Sequence, residues 1–493
     1  MGNGPGDFED YFQIFQREEI MCGGFVWEWC DHAIYKGDTE ENQAMYYYGG
    51  DHGEDVHDSN FCMDGLVYPD RTPHTGLLEY KNVYRPLRVV AFDQKAKKIS
   101  FHNYLDFTDA KDYIQIEYEV LCDGHVVEGG TLETPSIEPG CTEMTSLEIN
   151  APEKGNAFLK IYYFSSKEVA LVPEGHLLGF DEVKLETADN RNQEVIQKLE
   201  QSGDSSKAIV TKETDEFVFI LGEQFQYVFD KKTGLFTKLE YGGINQLEKP
   251  MEVNIWRAPT DNDMYIKLEW YRAKYDKAYS RAYDTVVEIS ENSVNIHCYM
   301  ALVADTVQRI LDMDTTWIID ENGTIGLNMK VKRHPEFPML PRFGLRLFLN
   351  KNMDYVQYYG MGPMESYCDK HRASSHGIYS GYIEDLHEDY IRPQENGSHY
   401  DCSYVTVESD YYKLEALAEK SFSFNVSAYT QEELTTKKHN FELQPSDNTI
   451  LCLDYAQSGI GSNSCGPDLL EKYRLDSKEF EFGIKLIPYR KYK

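Results

Sequence analysis

From about residue 88 onward the apolar residues of this chain recur every second position. Ile114, Ile116, Tyr118 and Val120 alternate with polar neighbours, and the pattern returns at Ile325, Leu327, Met329 and Val331 and at Phe422, Phe424, Val426 and Ala428. Successive side chains of a strand point to opposite faces, whereas a helix repeats its apolar stripe every three to four residues, so this period demands sheet. Turn signals cut the runs short: Cys122-Asp123-Gly124 precedes a further strand at 125–127, and Asp230-Lys231-Lys232-Thr233-Gly234 separates an apolar run at 217–229 from another at 235–241. With Leu159 to Phe164, residues 88–188 form a first sandwich. The polar, Gly/Ser-bearing stretch 189–209 reads as a linker, and 210–493, with further runs at 343–349 and 483–487, forms one large antiparallel β-sandwich without intervening helices.

The residues before 88 follow another rule. Phe8, Tyr11, Phe12 and Phe15 fall at helical spacing, with Asp7 placed to cap the first turn. The run from Gly23 to Cys30 is aromatic, β-branched and too short for a second such helix, so it reads as a buried strand. A helix followed by a buried strand is one step of an α/β unit. Residues 31–80 read as mostly loop, rich in Gly, Asp, His and Tyr. At 493 residues there is room for about three domains of roughly 150 residues. The glycine-rich opening Met1-Gly2-Asn3-Gly4-Pro5-Gly6 runs straight into the helix, as though the chain began in mid-domain.

Composition limits the partners. Lys and Arg number 49 against 83 Asp and Glu, a formal charge of −34 that opposes nucleic acid and anionic membranes and favours a neutral ligand. No apolar run approaches the roughly 18 residues of a membrane span, and no basic, apolar export signal opens the chain. Ten cysteines without a Cys-x-x-Cys pair suit reduced thiols and a cytoplasmic location.

Two stretches are denser in functional residue types than a core strand needs. Trp27, Trp29 and Asp31 sit at the exit of the expected barrel strand, where α/β barrels gather their catalytic groups. Indoles at i and i+2 share a face, so they serve either as core or as a sugar platform. The run from Asp51 to Asp64 offers oxygen ligands suited to Na⁺, Mg²⁺ or Ca²⁺, or is simply a solvated acidic loop; His52 and His57 do not have zinc-helix spacing. Glu28 and Asp31 lack the signature of a glycosidase pair, whose carboxyls stand about 5 Å apart across a sugar, and read as a surface pair.

Four motifs in this region, Gly23-Gly24-Phe25-Val26-Trp27-Glu28-Trp29, Tyr48-Gly49-Gly50-Asp51, Phe61-Cys62-Met63-Asp64-Gly65-Leu66-Val67 and Asp70-Arg71-Thr72-Pro73-His74, resemble the last strands and loops of the catalytic barrel of glycoside hydrolase family 2 β-galactosidases. Trp256 to Asp263, Tyr359 to Tyr367, Pro393 to Gly397 and Gly461 to Pro467 resemble that family's large C-terminal sandwich. The resemblance implies a mostly β chain: a partial (β/α)8 barrel end at 1–87, an immunoglobulin-like β-sandwich at 88–188 and the large sandwich at 210–493. It also implies site residues. Trp27 matches the floor of the galactose pocket, and Phe61 the residue whose main-chain oxygen binds a monovalent cation, Na⁺ or K⁺, beside the substrate. Asp64 falls where a side-chain oxygen, often from Asn, completes that cation site. Gly362 to Asp369, including Glu365, resembles a mobile loop over the sugar. Cys465 stands where some relatives carry a tryptophan that stacks on the aglycone, so acceptor preference is not expected to transfer.

The same resemblance places the nucleophile, in a Glu-Tyr-x-His-Ala-Met-Gly-Asn segment, about five residues before Met1, with the acid/base glutamate and the Mg²⁺ ligands further upstream. No catalytic residue is therefore expected in this chain, and alone it should be inactive on galactosides such as lactose, since loss of such groups costs about 10⁴ to 10⁶-fold. Three readings stay open: part of a full-length, homo-oligomeric retaining β-galactosidase; a small subunit completed by a separate N-terminal chain; and a non-catalytic carbohydrate-binding β-sandwich protein.

Overall fold

Alternation becomes sheet in the spacer as the period requires. In the computed structural model, which describes residues 6–200, 208–290, 292–462 and 464–491, strands Leu87–Asp93, Lys98–Asn103 and Thr142–Ser146 form one antiparallel sheet. His125–Leu132, Ile114–Cys122, Ala157–Ser165 and Leu177–Lys184 form the other. Ile114, Ile116 and Val120 bury their side chains between the sheets against Leu159, Ile161 and Tyr163 and against Ile99 and Phe101. The Cys122-Asp123-Gly124 turn joins Cys122 to His125 with both central residues left-handed (φ 49° and 88°), which matches the twist of a tight hairpin. A Cβ at Gly124 would stand 2.5 Å from the Ile378 side chain, so this hairpin tip presses directly onto the large domain.

In that domain a five-stranded sheet (residues 210–245) and a twelve-stranded antiparallel sheet (247–490) close on one core that includes Phe229, Phe236, Trp317, Leu345, Val405, Phe424 and Leu453. The run 217–229 divides into Phe217–Leu221 and Phe225–Asp230, because Gly222 and its neighbours turn the chain. The strand series is also interrupted, contrary to the sequence reading, by short helices at Ile266–Arg272 and Gln431–Thr436. The first is held by Trp270, whose buried indole donates to the Met339 carbonyl at 2.9 Å.

Two further expectations need correction. Gly23–Cys30 is no strand and is not buried: Phe25, Trp27 and Trp29 are exposed, and the segment bonds to residues 64–67 along one edge only. A parallel barrel strand needs a neighbour on each side, and among the described residues it has one. Residues 31–80 are mostly loop, as the sequence reading has them, with Ile34–Asp38 paired to Ala44–Tyr47 and the helix Thr75–Val83 beginning near their end. That helix is a hub: Asn82 bonds the Phe180 backbone of the spacer and the Arg372 carbonyl of the large domain, while Glu79 accepts the N–H groups of His371 and Ala373. The linker carries a helix, Gln193–Glu200, capped by Asn192 and docked through Val195 on Tyr359, Tyr404 and Leu417. Residues 201–207 of that linker, Met1-Gly2-Asn3 at the opening and Asn463 lie outside the described residues.

Among the described residues no helix is long and apolar enough to cross a membrane, and no disulfide joins the ten cysteines.

Candidate functional site

The helix Phe8–Arg17 has an apolar face because its aromatics fall three and four residues apart. Phe8 and Phe12 pack on Leu66 and Val83, while Tyr11 and Phe15 are left to face a cleft. Asp7 stands at the cap position, but its side chain makes no capping bond. Its N–H donates to the Asp369 carbonyl (2.9 Å), and burial, with Asp369 close by, pushes its carboxyl up to about 7.

Opposite this helix, residues 23–31 are laid against the 64–67 turn. Glu28 N–H donates to Asp64 O (2.7 Å), Leu66 N–H to Glu28 O (3.0 Å) and Val67 N–H to Trp29 O (3.0 Å), and the Trp27–Glu28 peptide is cis. Any Cβ at Gly65 would lie 2.2 Å from the Asp31 nitrogen, so only glycine permits this approach. Asp31 is not the surface residue its spacing suggested. Its carboxylate is buried, accepting Gly65 N–H (2.8 Å) and holding His74 Nε2 (2.8 Å), whose ring stacks on Tyr68 at 3.7 Å. Glu28 instead faces His32, 3.3 Å away, near the surface.

The third wall comes from the far end of the chain. Arg257 donates to the carbonyls of Ser458 (2.6 Å) and Gly459 (3.0 Å), and the buried Asp369 carboxylate accepts the N–H groups of Ile460 (3.0 Å) and Gly461 (2.8 Å). Gly6 N–H reaches Gly461 O (2.7 Å) and Tyr11 Oη meets Ser462 Oγ (3.3 Å). These charged grips dock the loop bearing Ser462, Ser464 and Cys465 onto the helix.

Together the three walls enclose a cleft of about 480 Å³ whose lining includes Trp27, Phe61, Asp64 and Cys465, four positions singled out from the sequence. The indole of Trp27 is 80% exposed. Asp64 is the one carboxylate among the described lining residues; one of its oxygens is buried without a hydrogen-bond partner, and burial raises its pKa. Two other acids of the 51–64 loop are already engaged. Asp51 holds His439 Nε2 (2.7 Å) and Tyr48 N–H (2.8 Å), and Glu54 accepts the N–H groups of Gly50 and His52. An orphaned carboxylate oxygen on a cleft that Phe61 also lines fits a hard monovalent cation. A site built from acidic or imidazole side chains alone does not fit, since among the described residues no three His, Cys, Asp or Glu side chains gather around a metal position.

Gly362 and Glu365 are not brought to this cleft. Gly362 ends the strand Tyr355–Gly362 before a cis Gly362–Pro363 bond. Glu365 is buried, accepting Lys370 Nζ (2.7 Å), Tyr390 Oη (2.5 Å), Thr75 Oγ1 (3.0 Å) and Gly397 N–H (2.8 Å), and the Lys370 ammonium outweighs burial to hold its carboxyl below the usual range. Ser366, Tyr367 and Asp369 are buried beside it, so the 362–369 loop is anchored into both the helix Thr75–Val83 and the large domain. Tyr11, Phe15, Tyr80 and Tyr84 line the cleft without having been foreseen. The helical spacing of Tyr11 and Phe15 was visible, but spacing does not tell a core face from a cleft face, and the helix bearing Tyr80 fell in a stretch read as mostly loop.

Family models agree with this arrangement. The model described as "Beta galactosidase small chain" matches residues 221–486, more than half of the chain; "Glycosyl hydrolases family 2, TIM barrel domain" matches 1–89, and "Beta-galactosidase, domain 4" matches 99–186. The chain is 44% identical over 488 residues to a β-galactosidase of Actinobacillus pleuropneumoniae, covering 99% of this chain and 47% of that protein. It is 37% identical over 490 residues to one of Staphylococcus xylosus, covering 99% and 48%. It thus spans about half the length of the curated relatives it matches. Among solved structures, galactose 1-epimerase from Lactobacillus acidophilus NCFM aligns over 58% of this chain and 99% of its own at 9% identity and a TM-score of 0.32, too low to support any argument. The barrel-end motifs, the spacer sandwich and the large sandwich, in that order and each matched by its own family model, make this chain a member of the β-galactosidase small chain family.

Proposed function

We propose that this chain supplies the sugar-binding wall and the cation-holding oxygens of a retaining β-galactosidase whose reacting carboxylates come from an N-terminal portion, on the same or a separate polypeptide. The observation that carries this reading is the convergence of Trp27, Phe61, Asp64 and Cys465, from three distant stretches of sequence, on one cleft. An exposed indole offers a broad face to the C–H side of a galactosyl ring. The unpartnered Asp64 oxygen, with the Phe61 carbonyl, would hold Na⁺ or K⁺, which when bound supplies positive charge to orient sugar hydroxyls. Cys465 offers no aromatic face of its own, so that wall grips a leaving group less selectively than an indole at the same position would.

Retaining hydrolysis uses two carboxyls about 5 Å apart, one as nucleophile and one as acid and base. Asp64 by itself cannot fill both roles. What this chain does for the reaction is bind, orient and exclude water, including through Tyr11, Phe15, Tyr80 and Tyr84. The test is complementation. The purified chain should not cleave a chromogenic β-galactoside above background, and mixing it with the N-terminal half of a relative should restore cleavage. Trp27→Ala should then reduce kcat/KM by at least about tenfold. Cleavage by the chain alone, or a complemented Trp27→Ala enzyme of full activity, overturns the proposal.

A further inference from the structure

A second cavity, of about 510 Å³, shares the loop that closes the cleft: Ser462, Ser464 and Cys465 line the first, whereas 459–461 and 466–469 line the second. Its volume lies in the range of small-molecule sites. Two rings border it, Tyr265, which is 58% exposed, and the half-buried Phe337. Arg333, at the end of the strand Ile325–Arg333 and only 9% exposed, lines it as well. Its Nη atoms donate to the main-chain carbonyls of Phe337 and Asp476, each at 2.6 Å, while its Nε is buried without an acceptor. Buried N–H groups of a charged side chain are seldom left unmatched, because losing water without a replacement bond is costly. An oxygen acceptor arriving from the cavity would meet that need.

Charge decides the class of ligand. Arg333 and Arg474 line the cavity together with four carboxylates, Asp263, Glu269, Asp468 and Asp476, of which Asp263 is paired with Arg257 and Glu269 with Arg272, so no surplus of positive charge awaits an anion. One exposed ring and one half-buried ring, mixed donors and acceptors, and no positive surplus suit a polyhydroxylated neutral molecule. We infer that this cavity is a second carbohydrate site, distinct from the cleft, that takes one neutral hexose unit with its ring face on Tyr265 and Phe337 and an oxygen accepting from Arg333 Nε–H. Because both sites rest on the 459–469 loop, a sugar here also bears on the loop that carries Cys465.

Methyl β-galactoside, titrated against the 493-residue chain by saturation-transfer NMR, tests this. Trp27→Ala should remove binding at the cleft and leave a saturable component, which Tyr265→Ala, a change at an exposed ring, should weaken by about tenfold. Galactose 6-phosphate should bind that component no more tightly than the neutral sugar. The inference is overturned if Trp27→Ala abolishes all saturable binding, if Tyr265→Ala leaves the residual component unchanged, or if the phosphate binds it more tightly. Each of these outcomes leaves the reading of the cleft standing, since that reading is judged on complemented cleavage.

Discussion

Asp64 is the side chain on which the proposed cation site rests. A carboxylate with one oxygen buried and unmatched is a poor structural residue, since desolvation is not repaid by hydrogen bonds, and a good cation ligand for the same reason. If Na⁺ binds there, it stabilises the folded chain by mass action, by about 2.7 kcal/mol at a concentration 100 times its Kd. Thermal unfolding in NaCl should therefore rise above that in choline chloride at equal ionic strength. Asp64→Ala should erase the difference, and an equal response of wild type and variant would count against the site. The identity of Asp64 was legible in the sequence, and so were its oxygen-rich neighbours. That Asp51 and Glu54 are spent on His439 and on local N–H groups, leaving Asp64 apart, was not, because His439 lies 388 positions from its partner.

At the scale of elements, the spacer is latched to the large domain by His376. This residue of the strand Ser375–Tyr382 stacks on Phe158 at 4.2 Å and lies between Glu182 of the strand Leu177–Lys184 (2.6 Å) and Asp401 (3.0 Å). Lys160, bonded to Ser375 at 2.6 Å, and His371, whose pKa burial pushes down to about 4 and so keeps it neutral, complete the titratable surroundings. Burial opposes the charged ring, but its bonds to Asp401 and Glu182 outweigh that and push its pKa up to about 9. A group more basic when folded contributes stability that is whole below its unfolded pKa, about 6.5, and fades as pH rises through 9. Melting temperature should thus decline between pH 7 and 9.5 in wild type, and His376→Gln should be less stable at pH 7 with a flatter profile over that window. Parallel profiles would remove the latch from the account. Elements were legible where one face was buried and the other wet, as at Ile114 to Val120. They were misread where the decisive partner was remote. Val195 and the helix Gln193–Glu200 exist because Tyr359, Tyr404 and Leu417 await them, and Gly23–Cys30 has only one of a strand's two neighbours among the described residues.

Over the whole molecule, stability is unevenly spread. Both sandwiches enclose continuous apolar cores, whereas residues 18–30 present Ile20, Phe25, Trp27 and Trp29 to solvent and hold to the rest along one edge. Segments with few buried contacts open locally at little cost in free energy. Hydrogen exchange of the chain alone should be fastest at 18–30 and slowest in the sandwich strands, and addition of the complementing N-terminal half should slow exchange at 18–30 selectively. Protection there in the isolated chain, equal to that of the sandwiches, would contradict the picture of an edge awaiting its neighbour.

The amino-acid sequence by itself determined the local grammar: the two-residue period that makes sheet, the Asp-Gly turn that makes a hairpin, the helical spacing from Phe8 to Phe15 and the motifs that carry the family. These depend on residues a few positions apart, whose geometry is set by backbone sterics and side-chain alternation. Tertiary structure alone decided which aromatic faces became cleft and which became core, and that Asp31 is buried against His74 while Glu365 is buried against Lys370. It also decided that the loop bearing Cys465 is clamped by Arg257 and Asp369. Burial and charge pairing are set by what the rest of the chain brings near, and no local pattern encodes a neighbour hundreds of residues away.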